Sequence, residues 1–128
     1  MKKLNSLLTL LILFVGLTGI SVAAEKVVLL EQFTGAWCGY CPDGSLIMDQ
    51  IIEDNPGKVI GVKIHNGDAM AITEETILSQ SLGLTGYPSG MTDRMAFNVG
   101  GNITFFIDRS AWTQTVEFAL QQPAPVAL

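Results

Sequence analysis

The only two cysteines of the chain, Cys38 and Cys41, are separated by two residues. A thiolate is both a nucleophile and a soft metal ligand. The spacing therefore allows three kinds of chemistry, which are reversible disulfide exchange, a structural disulfide and part of a metal site. The neighbouring residues indicate which of these three chemistries is favoured.

The metal and structural interpretations each fall short. A structural zinc site needs four ligands, whereas the chain offers two cysteines and a single histidine, His65. Two copies sharing their cysteines could complete such a site, and Cu(I) on the two thiolates and His65 is a further alternative. A structural disulfide gains most from closing a long loop, and this loop holds only Gly39 and Tyr40. The sequence therefore predicts no metal and no other cofactor, and favours disulfide exchange.

The segments on either side predict how the cysteines are held. Residues 27–30 are apolar on both faces, which is typical of a strand inside a parallel sheet. Pro42 suits the first turn of a helix, which spaced apolar residues continue to about residue 54. A second strand is predicted over 58–65, giving a right-handed βαβ unit. The cysteines then lie at a helix N-terminus, where free N–H groups and the helix dipole favour a thiolate.

The two sulfurs should have different roles. Cys38 lies at the exposed end of the predicted helix and is the expected nucleophile. Cys41 lies about one turn further in, where desolvation disfavours its thiolate. Cys38 would attack a substrate disulfide, and Cys41 would resolve the mixed disulfide.

The rest of the chain completes the pattern β-α-β-α-β-β-α. A helix with Thr73 as its N-cap is predicted to bury Ile77, Leu78 and Leu82. A third strand should begin near Pro88.

A fourth strand is predicted over 102–108, with the alternative that its Phe105-Phe106 pair lies in a loop. A last helix, capped by Ser110 or Asp108, should run to about residue 121.

The N-terminal segment has the pattern of a secretory signal peptide. Lys2 and Lys3 precede an apolar run over 7–17, and small residues over 21–24 suit signal peptidase. Residues 1–24 are expected to be removed, which leaves no stable membrane span; the alternative is an uncleaved anchor. The domain would then work in the periplasm or cell envelope, where a thiol pair can be oxidised.

The charge of the chain excludes one class of partner. Acidic residues outnumber basic ones by 12 to 7, and loss of the signal peptide removes two of the lysines. An acidic surface repels phosphate backbones, so no nucleic acid partner is expected.

Two segments resemble the thioredoxin-like superfamily. LLEQFTGAWCGYCP, residues 29–42, is similar to its strand, Trp-Cys-x-x-Cys turn and helix start, and GLTGYPSG, residues 83–90, to its cis-proline segment. The resemblance implies an α/β, thioredoxin-like domain over 25–122, with a central four-stranded mixed sheet flanked by helices. It also implies a cis Tyr87–Pro88 bond, and it makes Trp37, Tyr87 and Pro88 the expected substrate-binding residues.

A closer resemblance is carried by EQFTGAWCGYCPDG, IHNGDAM and GYPSGMTDR in that order. These motifs are similar to the thioredoxin-like module of bacterial exported outer-membrane-protein-type lipoproteins, in which a β-sandwich domain usually follows. Residues 123–128 are then expected to be a linker or the start of that domain. No cysteine lies near the predicted cleavage site, which departs from lipid-anchored members.

The chain departs from thioredoxins at one position that bears on mechanism. Thioredoxins carry a buried acid six residues before the first cysteine, where it helps to move the proton of the second thiol. That position is Gln32 here, and the adjacent Glu31 should face the opposite side of the strand. The resemblance therefore predicts a weak proton relay, or one through water.

Two other polar residues, His65 and Asp68, are candidates for smaller roles. His65 ends the second strand at the edge that holds the cysteines, where it could modulate Cys38 or simply form a local hydrogen bond. Asp68 is a candidate acceptor for the indole N–H of Trp37 and, like Gln32 and His65, a candidate modulator of the cysteines. Asp93 and Arg94 are expected to be surface charges.

These patterns predict an exported thiol–disulfide oxidoreductase or isomerase. Its partners would be protein thiols and disulfides of the cell envelope, with an upstream electron donor or acceptor. The alternative is a non-catalytic module that uses the same fold to bind an envelope partner, because fold does not fix function.

Overall fold

A computed structural model describes residues 24–124, so most of the predicted signal peptide and the last four residues lie outside the described part. The strands are β1 Val28–Thr34, β2 Val59–His65, β3 Ser89–Thr92, β4 Phe97–Val99 and β5 Asn102–Thr104. The helices are α1 Cys41–Asp54, α2 Thr73–Ser81 and α3 Trp112–Leu120, the last preceded by a 3-10 turn at Arg109–Ala111. Within residues 24–124 no helix has the length and apolar character to cross a bilayer.

The central sheet is mixed and has the strand order β2-β1-β3. β1 and β2 are parallel, with Thr34 opposite His65, and β3 is antiparallel to β1. The predicted βαβ unit and the predicted class, a mixed sheet flanked by helices, are confirmed. The central sheet has three strands rather than four, because β5 pairs with β4 in a separate hairpin.

The strand predicted over 102–108 is therefore only partly formed. The Thr104 hydroxyl accepts the N–H of Phe106 at 3.1 Å and turns the chain away from the hairpin. Phe105 and Phe106 lie in the loop, the alternative left open by the sequence. Phe106 enters the core edge-on to Phe33, and only Ile107 bridges to the central sheet, at Gly90.

One face of the sheet is covered by α1 and α3. The core there joins Val28 and Leu30 of β1 to Met48 of α1 and to the fully buried Trp112 and Val116 of α3. The Trp112 indole donates to the carbonyl of Ile107 at 2.9 Å. A Cβ at position 90 would overlap the Trp112 ring, so Gly90 permits this contact.

The last helix ends close to the predicted residue but begins differently. Asp108, one of the two predicted caps, is the N-cap of the 3-10 turn and accepts the Ser110 N–H at 3.0 Å and the Ser110 hydroxyl at 2.7 Å. These hydrogen bonds lower the pKa of Asp108. The N-cap of α3 itself is Ala111, with no side-chain cap hydrogen bond, so the predicted helix cap is wrong. The helix ends at Leu120, one residue before the predicted end.

The prediction for α2 is wrong in two respects. Thr73 is the first helical residue, and the N-cap is Ile72, with no side-chain cap hydrogen bond. Ile77 is 63% exposed, whereas Glu75 and Ser79 are buried. The inward stripe runs 75, 78, 79 and 82 because Glu75 finds polar partners in neighbouring loops, and that rotation turns Ile77 to solvent.

Asp93 and Arg94 are not simple surface charges, which corrects the sequence prediction. They form the turn after β3, with φ of 50° and 52°. Asp93 accepts the Leu29 N–H at 2.8 Å and pairs with Lys26. Arg94 makes two hydrogen bonds to Glu31, at 2.8 and 3.0 Å, which raise the pKa of its guanidinium. The turn places both side chains beside β1.

Candidate functional site

The two cysteines form a disulfide at the start of α1, with their Cα atoms 5.4 Å apart. Cys41 is the first residue of the helix, and Cys38 lies in the turn before it. The Cys38 N–H donates to the Gly35 carbonyl at 3.0 Å, and the Cys41 N–H to the Cys38 carbonyl at 3.3 Å. Cys38 is 8% exposed and Cys41 is 3% exposed. Both cysteines are therefore buried in the disulfide form, Cys38 slightly less than Cys41, and their separate roles stay a prediction.

Arg109 contacts the cysteine turn at Tyr40 and the first turn of α1 at Asp43. Its guanidinium lies 5.7 Å from the ring centroid of Tyr40 and forms an ion pair with Asp43. A cation over an aromatic face is attracted by the electron-rich ring. Sequence analysis missed this contact, because Arg109 lies in a distant loop.

Gln32 lies directly beneath the first turn of α1. Its side chain is fully buried, donates to the Cys41 carbonyl at 3.0 Å and accepts the Ser45 hydroxyl at 3.3 Å. The predicted orientation of its neighbour is confirmed, since Glu31 pairs with Arg94 on the opposite side of the strand. A neutral amide therefore stands beneath Cys41, where it orients the helix but carries no titratable proton.

Pro88 approaches the same turn from β3. The Tyr87–Pro88 bond is cis, as predicted. Phe33 pairs with Ser89, so Pro88 lies across from the end of β1, where the cysteine loop begins. A Cβ on Gly44, in the first turn of α1, would lie 3.4 Å from the Pro88 Cβ. Pro88 and the cysteine-bearing turn are thus neighbours.

Trp37 and Tyr87 meet at the rim of the site. Trp37 is 56% exposed, and its ring lies edge-on to that of Tyr87, with centroids 5.3 Å apart. The indole N–H donates to the carbonyl of Asn66 at 2.7 Å. The prediction that Asp68 accepts this hydrogen is wrong, because a backbone carbonyl two residues earlier in the same loop takes it.

Asp68 instead fixes the backbone of the cysteine loop. It accepts the Ala36 N–H at 2.7 Å and the Met70 N–H at 2.8 Å, and lies 2.8 Å from Nδ1 of His65. The hydrogen bond with His65, followed by that with Ala36, lowers the pKa of Asp68 to about 2. His65 therefore reaches the cysteine loop through Asp68, by way of a local hydrogen bond.

Glu75 is the site residue that sequence analysis missed. It is 2% exposed and accepts hydrogen bonds from the Tyr87 hydroxyl at 2.9 Å and from Asn66 at 2.7 Å. Burial, and then Glu75, raise the pKa of Tyr87 to about 12. A signal was present, since an acid at position 75 shares the helical stripe of Leu78 and Leu82.

A shallow cleft of about 440 Å³ borders the disulfide on the side of Thr34, Ser45 and Leu46. A second cleft of about 400 Å³ is lined by Tyr87, Pro88 and residues of the loop before α3. Among residues 24–124, no group of three or more His, Cys, Asp or Glu side chains is arranged to hold a metal ion. The disulfide thus borders the first cleft, and the cis-proline borders the second.

Comparison with known proteins identifies the fold. No family profile and no curated protein matches the chain. The structure is similar to HBP35 of Porphyromonas gingivalis, with 27% identity and a TM-score of 0.59 over 77% of this chain and 34% of that one. The chain therefore spans about a third of the length of HBP35.

Two thioredoxins are also similar. A mutant thioredoxin from Halobacterium salinarum NRC-1 is 19% identical, with a TM-score of 0.50 over 79% of this chain and 81% of that one. Oxidized mitochondrial thioredoxin 3 from Saccharomyces cerevisiae is 18% identical, with a TM-score of 0.51 over 73% and 80%. The chain has a thioredoxin-like fold, with a C-x-x-C disulfide at the start of α1 and a cis-proline next to that turn.

Proposed function

We propose that the chain is an exported thiol–disulfide oxidoreductase that exchanges disulfides with proteins of the cell envelope. The observation that carries this proposal is the position of the disulfide, with Cys38 outside the first turn of α1 and Cys41 as its first residue. A helix N-terminus stabilises a thiolate. A structural role explains this position less well, because so short a loop gains little from closure.

The reaction divides between the two sulfurs. In the reduced protein the Cys38 thiolate attacks one sulfur of a substrate disulfide, and the other substrate sulfur leaves as a thiolate. The Cys41 thiolate then attacks the Cys38 sulfur, which forms the intramolecular disulfide and releases the substrate as a dithiol. Two electrons pass from the cysteine pair to the substrate, and an envelope thiol donor restores the pair. The same steps in reverse oxidise a substrate.

The resolving step has to remove the proton of Cys41. Gln32 is the side chain beneath Cys41, and an amide cannot accept that proton at neutral pH. Water at the mouth of the cleft is the remaining acceptor. Because Cys41 is almost fully buried, resolution is expected to be slower than attack.

Export and the finer family relationship are part of the same proposal. They are supported by the basic start, the apolar run over 7–17 and the small residues over 21–24, and by the motifs similar to the module of outer-membrane-protein-type lipoproteins. Intact-mass analysis of the protein from a cell-envelope fraction tests export. We expect a mature chain that starts at Glu25, and a chain that keeps its first 24 residues would indicate a membrane anchor.

Trapping of covalent adducts in cells tests the exchange reaction. We expect Cys41→Ser to accumulate mixed disulfides with envelope proteins, because its nucleophile attacks but nothing resolves the adduct. Cys38→Ser serves as the matched control and should accumulate none. Adducts on Cys38→Ser alone would reverse the two roles. Mass spectrometry of the adducts would identify the substrates.

The reduction potential separates catalysis from the alternative. A value between about −270 and −120 mV would place the pair among redox catalysts. A value below about −300 mV, with no adducts in either variant, would favour a non-catalytic module that binds an envelope partner.

A further inference from the structure

A buried carboxylate accepts a hydrogen bond from Tyr87, the residue before the cis-proline, and has no part in thiol exchange. Glu75 is 2% exposed, and its side-chain hydrogen-bond partners are neutral. Oε1 accepts the Tyr87 hydroxyl at 2.9 Å, while Oε2 accepts the Asn66 amide at 2.7 Å and the Thr76 hydroxyl at 3.2 Å. Both carboxylate oxygens therefore have hydrogen-bond donors. Tyr87 and Asn66 lie outside α2, and Thr76 is the next residue of the same helix.

The two main contacts lead to the two halves of one aromatic pair. Asn66, held by Glu75 through its side chain, accepts the Trp37 indole N–H through its own carbonyl. Tyr87, held through its hydroxyl, meets the Trp37 ring edge-on at 5.3 Å. The four residues form a closed ring of contacts, and in sequence Trp37 precedes Cys38 and Tyr87 precedes Pro88.

Packing alone does not account for an acid at this position. Burying a charge costs free energy that hydrogen bonds only partly offset. Leu78 and Leu82, on the same stripe, show that an apolar side chain fits this layer. Glu75 instead provides two directional hydrogen bonds. Its two acceptor oxygens fix the Tyr87 hydroxyl and the Asn66 amide relative to each other. Without such a link, the 56% exposed Trp37 ring would sample several rotamers.

We propose that Glu75 is a positioning residue that sets the spacing of Trp37 and Tyr87, the aromatic pair that receives an extended segment of the substrate protein beside Cys38. The inference rests on the proposed disulfide exchange and concerns the recognition of protein substrates in it. Glu75 itself touches neither sulfur nor substrate.

Three variants of α2 separate this role from packing. Glu75→Met keeps the volume and loses both links. Glu75→Gln can keep both, since its oxygen accepts from Asn66 and its nitrogen donates to the Tyr87 oxygen. Glu74→Met is the matched control, because Glu74 is the exposed neighbour in the same turn.

Kinetics should divide according to substrate size. For insulin as a protein disulfide substrate, we expect Glu75→Met to raise KM about tenfold, the effect of one charged hydrogen bond, with little change in kcat. Exchange with oxidised glutathione, which lacks the extended protein segment that the aromatic pair is proposed to receive, should stay within about twofold of wild type. Glu75→Gln and Glu74→Met should resemble wild type with both substrates. Equal slowing of insulin and glutathione exchange by Glu75→Met, or no effect on either, would overturn the proposal.

An NMR measurement tests the geometry without any redox reaction. The chain has two tryptophans, and their indole N–H groups donate to Asn66 and to Ile107. Glu75→Met should shift the Trp37 indole signal and speed its hydrogen exchange, while the Trp112 signal stays in place and reports an intact core. A Trp37 signal unmoved in Glu75→Met would contradict the proposal.

The two measurements distinguish the two proposals. If Trp37 moves in Glu75→Met but the wild type exchanges with neither insulin nor glutathione, the oxidoreductase proposal fails, and the substrate role of the pair fails with it. If the wild type is active and Trp37 does not move, only the role of Glu75 fails. Should Glu75→Met not fold, Tyr87→Phe removes one link alone and should give smaller changes in the same direction.

Discussion

Two polar clusters flank the disulfide, and they differ in charge. The cluster beneath α1 is neutral and consists of the Gln32 amide, the Ser45 hydroxyl and the Cys41 carbonyl. The cluster beside the aromatic pair is built around the Glu75 carboxylate. Each is centred on a buried side chain, Gln32 or Glu75, and each connects a loop or helix start to its neighbour.

The difference shows where this domain tolerates negative charge. A carboxylate next to Cys41 would disfavour its thiolate by like-charge repulsion, although it could also carry the proton away. The amide does neither and only holds the helix start. The carboxylate of Glu75 contacts Asn66 and Tyr87 rather than the cysteines, so it can order the rim through hydrogen bonds that a charge makes stronger.

A substitution at Gly35, next to the charged cluster, should have the largest predicted effect on stability and substrate binding. A Cβ at Gly35 would lie 2.6 Å from the Trp37 indole nitrogen and 2.9 Å from the Asn66 carbonyl oxygen. Gly35→Ala should therefore displace the indole, lower the free energy of unfolding by about 1–3 kcal/mol and weaken protein substrates more than glutathione. Gly86→Ala is the control, since a Cβ there meets nothing within 4 Å. Equal urea midpoints for the two variants would show that the ring is not tightly held.

Charge can also be placed in the neutral cluster. Gln32→Asp should speed the resolving step and make it pH-dependent, because a carboxylate can accept the Cys41 proton. It should also lower the free energy of unfolding by about 1–3 kcal/mol, since a buried charge replaces a satisfied amide. Gln32→Asn is the matched control, because asparagine has the same side-chain length as aspartate but carries no charge. Stopped-flow decay of the Cys38 mixed disulfide measures the step, and an unchanged rate and pH profile in Gln32→Asp would exclude position 32 from proton transfer.

The neutral cluster and the disulfide could be anticipated because their signals are local. Cys38, Cys41 and Pro42 are close together in the chain, and the residues on either side have strand and helix periodicity. The position of Gln32 followed from the resemblance to thioredoxins, and strand alternation turned Glu31 to the other face, where Arg94 pairs with it.

The charged cluster could not be anticipated in the same way. Its members come from the cysteine loop, the loop after β2, α2 and the turn before β3, and only tertiary packing brings these together. The sequence cannot distinguish a backbone from a side-chain acceptor in one loop, so Asp68 was predicted for the indole where the Asn66 carbonyl takes it. The β4–β5 hairpin was missed for another reason, since three-residue strands give almost no periodic signal.

Alkaline pH should weaken the charged cluster to a smaller extent. Burial and Glu75 raise the pKa of Tyr87 from 10.0 to about 12. The stability from this shift is fully present below pH 10 and is lost as pH rises towards 12, because the unfolded chain loses its proton first. Urea midpoints on either side of about pH 10 should fall in the wild type and fall less in Tyr87→Phe. Tyr40→Phe, at an exposed tyrosine, is the control. If Tyr40→Phe reduces the fall of the urea midpoint with pH as much as Tyr87→Phe does, the fall cannot be assigned to Tyr87.

Acid pH should give the smallest effect on stability. It tests whether the Asp68 carboxylate, which binds backbone N–H groups, acts differently from the Glu75 carboxylate, which binds the Tyr87 side chain. The pKa of Asp68 is lowered from 3.8 to about 2 by His65 and Ala36. The associated stability is present above about pH 4 and is lost as pH falls towards 2, because the unfolded chain takes up the proton first. Because Asp68 lies near solvent, screening keeps this contribution small.

Asp68→Asn should therefore flatten the acid side of the stability profile, measured as urea midpoints between about pH 2 and 5. Asp49→Asn, on the exposed side of α1, is the matched control and should leave the profile unchanged. The Trp37 indole signal should also stay in place in Asp68→Asn, because its acceptor is the Asn66 carbonyl. A shift as large as that in Glu75→Met would mean that the loop backbone, rather than the Glu75 carboxylate, sets the position of the aromatic pair.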